Sequence, residues 1–141
     1  MNDKGAEDDR NQMVAILNQE SSLMEIVKLI GSDVLPDDQK LTLEIARVIR
    51  LGFLQQNAFH QEDTSVPMEK QFLMMETILY LYEKCRALVN RGMPVSVLKE
   101  DKIFERIIAI KYEVPNKEPE RFDEYHKDID RFYDNVLERN G

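Results

Sequence analysis

Glu25-Ile26-Val27-Lys28-Leu29-Ile30-Gly31-Ser32-Asp33-Val34-Leu35-Pro36-Asp37-Asp38-Gln39-Lys40-Leu41-Thr42-Leu43-Glu44-Ile45-Ala46-Arg47 is the stretch that decides the fold. At its start, Leu23, Ile26, Val27 and Ile30 recur at i, i+3, i+4 and i+7, the spacing that gathers apolar side chains on one face of an α-helix, and Ile16 lies one heptad earlier. Gly31 follows, and glycine readily takes the backbone conformation that closes a helix. After the turn Ser32-Asp33-Val34-Leu35, Pro36 suits the first position of a second helix, where a missing N–H costs no hydrogen bond. Asp37 and Asp38 then fall in the first turn, at the positive end of the peptide dipoles. The pattern predicts a helix over about residues 8–30, a tight apex, and a second helix over about residues 36–56. Leu41, Ile45, Ala46, Val48, Ile49 and Phe53 carry the second helix, and Gly52 costs it about 1 kcal/mol relative to Ala.

The same period governs the rest of the chain. Pro67 opens a third helix through Phe72, Met75, Leu79, Tyr82, Leu88 and Val89, which Gly92 closes at about residue 91. Pro94 starts a short turn of helix, and Ile103, Phe104, Ile107, Ile108 and Tyr112 mark another helix of about ten residues. Pro115 and Pro119 bracket a hinge-like linker over residues 114–119. Phe122, Tyr125, Ile129, Phe132 and Val136 alternate spacings of 3 and 4, a seam that packs on the bundle or on a partner chain. Residues 55–64 have no period and read as a loop of about ten residues. Residues 1–9, with Asp3, Glu7, Asp8 and Asp9, are too polar to pack and read as a disordered N-terminal end. The expectation is one all-α domain over residues 10–141, a bundle of about five to six helices.

Composition narrows the function. The 141 residues carry 27 acids against 19 Lys and Arg, a net charge of −8, which argues against a nucleic-acid groove because such affinity comes from Lys and Arg displacing counterions. The glycines stand at 5, 31, 52, 92 and 141, too far apart for a phosphate-cradling loop. His60 and His126 with the single Cys85 give no zinc spacing, so no metal site and no catalytic set is expected. No apolar run approaches the ~18 residues of a membrane span, and Met1 to Arg10 has the wrong charge for a signal peptide. These features suggest a cytoplasmic protein, or one beside a membrane but not inserted in it.

Single residues carry little chemistry alone. His60, near Glu62 and Asp63, reads as an ordinary surface histidine before it reads as a base. Cys85 lies one turn after Tyr82 on the apolar side of the third helix and reads as a buried thiol, and Met68, Met74 and Met75 read as core fillers. Two stretches resist such readings. The apex is an acidic tip in which Val34 and Leu35 are expected to be exposed between Asp33, Asp37 and Asp38. Phe59 is an aromatic in an otherwise polar segment, either a staple onto the bundle, which the residues alone favour, or a platform for a flat ligand.

Residues Glu25 to Arg47, followed by Phe53-Leu54-Gln55-Gln56-Asn57-Ala58-Phe59-His60, resemble the C-terminal domain of the catalytic A subunit of the V-type and archaeal A-type rotary ATPases. The likeness continues through Asp63-Thr64, Glu69-Lys70-Gln71, Gly92-Met93-Pro94 and Ile108-Ala109-Ile110-Lys111-Tyr112. It spans about residues 10–141 and is loose after Tyr112. A weaker similarity to the catalytic beta subunit of F-type ATP synthases places that family's acidic rotor-contacting loop on Ser32 to Gln39.

The resemblance implies a lever and not a catalyst. It implies that the parent couples ATP hydrolysis or synthesis to proton or sodium transport, with ATP and magnesium bound by the full-length parent and no cofactor in this segment. It implies partners in the B subunit and the central-stalk subunits, and a place peripheral to the membrane. The rotor-contacting tip then falls on Asp33, Val34, Leu35, Pro36, Asp37 and Asp38. With Val34 and Pro36 where the F-type pattern is polar, steric pushing is expected to outweigh specific ion pairs. Phe59 falls where the family packs an aromatic against adenine, an accessory contact on the order of 1–3 kcal/mol, with Gln55, Gln56 and Asn57 as weaker helpers. The competing expectation is a small helical adaptor whose last seam binds a partner helix.

Overall fold

The computed structural model describes residues 3–54, 68–114 and 118–140. Among them it is all-α, with seven α-helices and no strand. In chain order these are α1 (Asp3–Ile30), α2 (Asp37–Val48), α3 (Met68–Asn90), α4 (Val95–Leu98), α5 (Ile103–Ile108), α6 (Ile110–Glu113) and α7 (Phe122–Asn140). A 3-10 turn, Ser32–Val34, joins α1 to α2, and a π-turn, Ile49–Leu54, continues α2.

α3 is the centre of the bundle and touches α1, α2 and α7. Its sequence explains why. Met74, Met75, Ile78, Leu79, Leu81, Cys85 and Leu88 are all buried and point to more than one side, and a helix apolar on several sides is covered on several sides. Its buried polar groups are satisfied. Thr77 donates to the Leu73 carbonyl at 2.7 Å, and the Lys70 ammonium donates to the Val114 carbonyl at 2.8 Å. The helix closes as its glycine foretells: Gly92 takes φ +94°, its N–H reaches the Val89 carbonyl at 2.9 Å, and the Met93 N–H reaches Leu88 at 3.1 Å.

The seam of α7 is internal. Phe122, Tyr125, Ile129, Phe132 and Val136 are all buried, and α7 lies against α3, α5 and the turn before it, so the face that an adaptor would offer to a partner is occupied within the chain. Each such burial stabilises by about 1.5–3 kcal/mol.

Several boundaries differ from the sequence pattern, each for a physical reason. Residues 3–9 are helical and not a disordered end, because α1 runs on and Ala6 is buried in the neighbourhood of Phe53, Phe72 and Met75. Pro36 is the cap before α2 and not its first residue, since its ψ of 159° is extended. The second helix ends as an α-helix at Val48, where the π-turn begins. The ten-residue helix ending at Tyr112 is two helices. The Tyr112 N–H bonds three residues back to Ala109 at 3.0 Å, and this local tightening brings Ile110 into the core while leaving Tyr112 69 % exposed. Met74 and Met75 fill the core, but Met68, at the first turn of α3, is exposed. Of the expected linker, Val114 is buried, Arg121 donates across it to the Glu113 carbonyl at 2.8 Å, and residues 115–117 lie outside the described residues.

Candidate functional site

The apex between α1 and α2 is built from punctuation. The Gly31 N–H donates to Val27 at 2.8 Å, and the glycine then turns the chain with φ +87°, a conformation that strains any side-chain-bearing residue. The Ser32–Val34 turn closes with the Leu35 N–H on the Ser32 carbonyl at 3.1 Å. The carbonyl of Pro36 then accepts from the Gln39 and Lys40 amides at 3.0 Å, starting α2.

Six neighbouring residues divide into two groups here. Asp33, Val34, Pro36 and Asp38 face outward, with Val34 at 59 %. Leu35, expected to be exposed beside Val34, is 6 % exposed and is part of the buried interior. Asp37 directs its Oδ1 to the N–H of Val95, which it accepts at 3.0 Å. Pro94 lacks a side-chain acceptor, so this borrowed carboxylate satisfies a first-turn amide of α4. Leu35 and Asp37 therefore hold the apex in place, while Val34, Asp33 and Asp38 are left to the surface.

The outward surface is larger than the apex. From residue 21 to residue 30 of α1 no side chain is buried. Ile26, Leu29 and Ile30 are exposed on one flank of the helix, Leu29 at 84 % and Ile30 at 62 %; Met24, on the other side of half-buried Leu23 and Val27, is exposed too, as is Val34 in the turn. Ile26 and Ile30, which the pattern assigns to a buried face, stand in solvent. The signal was in the sequence: Met24, Ile26, Val27, Leu29 and Ile30 are five apolar residues in seven positions, more than one buried stripe accommodates. Glu25 and Lys28 pair across the same turn of helix at 3.8 Å, and Asp33 and Asp38 flank the far end. Exposed apolar side chains gathered on one flank of a helix and bordered by charge have the make-up of an interaction surface.

Gln55, Gln56, Asn57 and Phe59 lie outside the described residues, as does His60. The turn that leads to them is described. Gly52 of the π-turn faces α5 so closely that a Cβ there would sit 3.3 Å from Ile108 Cα, and Lys111 of α6 donates Nζ to the Leu51 carbonyl at 2.5 Å. Neither contact was foreseen from sequence, where Gly52 read only as a helix weakness. Away from this region, burial pushes the Cys85 thiol up, which keeps it protonated and unreactive.

A family model described as the C-terminal domain of V and A type ATP synthase matches residues 6–97, which take in the apex and the π-turn. The chain belongs to this family. The V-type ATP synthase alpha chain 2 of Clostridium tetani is 45 % identical over 130 residues. The V-type ATP synthase alpha chain of Halothermothrix orenii is 43 % identical over 129, and the A subunit of the A-type ATP synthase of Methanopyrus kandleri is 42 % identical over 130. Each alignment covers 92 % of this chain and 22 % of the relative, so the chain spans about a fifth of the length of the curated relatives it matches. In this V/A-type C-terminal domain the described helices close around a common core, and the end of α1 projects an uncovered apolar face from it. Among the described residues no helix is long and apolar enough to cross a membrane.

Proposed function

We propose that this chain acts as the force-transmitting end of a V/A-type catalytic subunit, pressing the end of α1 and the apex against the central stalk of a rotary ATPase. The observation that carries this reading is the uncovered apolar flank of Ile26, Leu29 and Ile30 at the end of α1, with Val34 exposed in the turn that follows. Hydrocarbon side chains suit a surface that pushes and slides, because dispersion contacts are non-directional and re-form at each new register. Asp33 and Asp38 at the rim add attraction to basic residues without fixing one partner. In the whole enzyme, ATP with magnesium is held by the part of the catalytic subunit outside this chain, the B subunit is its neighbour in the head, and the cycle is coupled to proton or sodium transport at the membrane periphery. Phe59 packs on adenine there, with Gln55, Gln56 and Asn57 beside it.

The test compares two pairs of substitutions in the assembled ATPase. Leu29→Ser with Val34→Ser is expected to reduce ions moved per ATP hydrolysed several-fold more than Asp33→Asn with Asp38→Asn. Equal or reversed effects would assign the contact to charge. The isolated 141-residue chain is expected to show no ATP turnover above blank; magnesium-dependent turnover lost on changing one of its residues would overturn the lever reading.

A further inference from the structure

α2 is held in two different ways. Leu41, Ile45 and Val48 are buried in the core, while Asp37, Glu44 and Arg47 share another side of the helix at i, i+7 and i+10, about 15 Å from first to last. All three reach one neighbour, the segment made of α4, the 3-10 turn Lys99–Asp101 and α5. Asp37 Oδ1 accepts the Val95 N–H at 3.0 Å. Glu44 uses its two oxygens separately: Oε1 lies 3.7 Å from the Lys99 ammonium, and Oε2 accepts from the Arg47 guanidinium at 3.0 Å. The same nitrogen of Arg47 donates to Glu105 Oε1 at 3.1 Å, so Glu44 meets the turn directly and steadies the arginine that meets α5. The segment is tied onward to α7. Asp101 receives two guanidinium nitrogens of Arg139, at 3.2 and 2.9 Å, and Arg106 donates to Asp128 at 2.6 Å. Apolar contacts attract at every register because dispersion has no preferred direction, whereas hydrogen bonds and ion pairs hold donor and acceptor at set positions. Lys99 and Glu105 are half exposed, so this row adds little to folding stability, and what it adds is register.

We propose that Asp37, Glu44 and Arg47 are positioning residues: they fix the register of α2 against residues 95–108, so that a load on the apex passes through that segment to α7 and is not lost as α2 slips on its apolar bed. This rests on the reading of the apex as the stalk-facing end. The experiment measures ions moved per ATP hydrolysed, with ATP turnover and thermal stability beside it, in the assembled ATPase carrying Asp37→Ala with Glu44→Ala. The ratio is expected to fall about two- to fivefold while ATP turnover stays within about twofold. Asp37→Asn with Glu44→Gln keeps the accepting oxygens and drops both charges, and is expected to regain most of the ratio. Lys99→Met breaks one tie from the other side; it is expected to lower the ratio by itself and to add nothing to Glu44→Ala, and it serves should the alanine pair not assemble. An unchanged ratio in these variants, with Leu29→Ser and Val34→Ser still lowering it, overturns the positioning role and leaves the stalk contact intact. An unchanged ratio in both sets overturns both readings. An Asn and Gln pair as impaired as the alanine pair overturns the positioning role too, because charge facing the stalk would then be at work. A loss of thermal stability with the ratio at the parent's value assigns these residues to stability alone.

Discussion

α7 and the last ten residues of α1 both space apolar side chains for one face of a helix, yet only one of them is covered. In α7 every seam residue, from Phe122 to Val136, is buried against the bundle. In α1, residues 21–30 bury none, and Leu29 and Ile30 stand in water. The difference teaches that helical period identifies a helix and says nothing of what covers it. What separates the two is the rest of each helix. α7 sets charged residues between its seam positions, whereas α1 adds Met24 and Leu29 to its stripe, widening it beyond what one neighbouring helix covers. A covered seam contributes to stability, and an uncovered one is available to a partner.

Stability measurements sharpen this contrast, beginning with the largest effect. Phe132→Ala, at the covered seam, is expected to cost about 3–5 kcal/mol in chemical denaturation, whereas Leu29→Ser is expected to stay within about 0.5 kcal/mol. A large loss at Leu29 would mean that the end of α1 is covered after all. Within the apex the same contrast holds between adjacent residues: Leu35→Ala is expected to cost about 2–5 kcal/mol, and Val34→Ser close to nothing. Asp37→Ala removes the acceptor for the Val95 amide and is expected to cost about 1 kcal/mol, while Asp38→Ala beside it, with no such bond to lose, is expected to be near neutral.

Two pH effects follow at opposite ends of the scale. Hydrogen bonding to Asp130, with burial, pushes the Tyr80 phenol up to about 12, and burial with the hydrogen bond to Glu113 does the same for Tyr125. A raised folded value means that stability is fully present below the ordinary value near 10 and is lost as pH rises through about 12, so α7 is expected to loosen in that window. An ultraviolet titration should find these two tyrosines ionising late. The smallest expected effect is at Asp9, where partial burial, Glu76 and Asp8 raise the carboxyl above its ordinary value of 3.8. Its neutral form is favoured in the folded chain, so its stabilisation is lost as pH climbs from that value, and Asp9→Asn is expected to be slightly more stable than the parent at neutral pH.

Much of the fold was legible because it is punctuated. Gly31 and Gly92 mark helix ends through positive-φ conformations few other residues take, Pro36 marks the start of α2 to within one residue, and the α7 seam is long enough to declare its face. The apex itself was half legible. Its position followed from the punctuation, but which of Val34 and Leu35 turns inward is decided by neighbours distant in sequence, and a three-residue turn has no period to reveal it. The capping of Val95 by Asp37 was hidden for the same reason, being a bond between residues 58 apart. At the π-turn the only local sign was Gly52, and its reason, the close approach of Ile108, is again a long-range contact. The ATPase resemblance, carried most strongly by residues 23–82, is where sequence reached beyond fold; the residues assigned to adenine lie outside the described part of the chain.

The most direct test of the lever is a single cysteine at its outermost apolar position. In the assembled ATPase, Val34→Cys offers an exposed thiol, and buried Cys85, held protonated, does not compete with it. A short thiol-reactive cross-linker is expected to join position 34 to a central-stalk subunit and to halt ATP turnover until the link is cleaved. Cross-links confined to neighbouring head subunits, with turnover undisturbed, would contradict the proposal that the apex is the surface that drives the stalk.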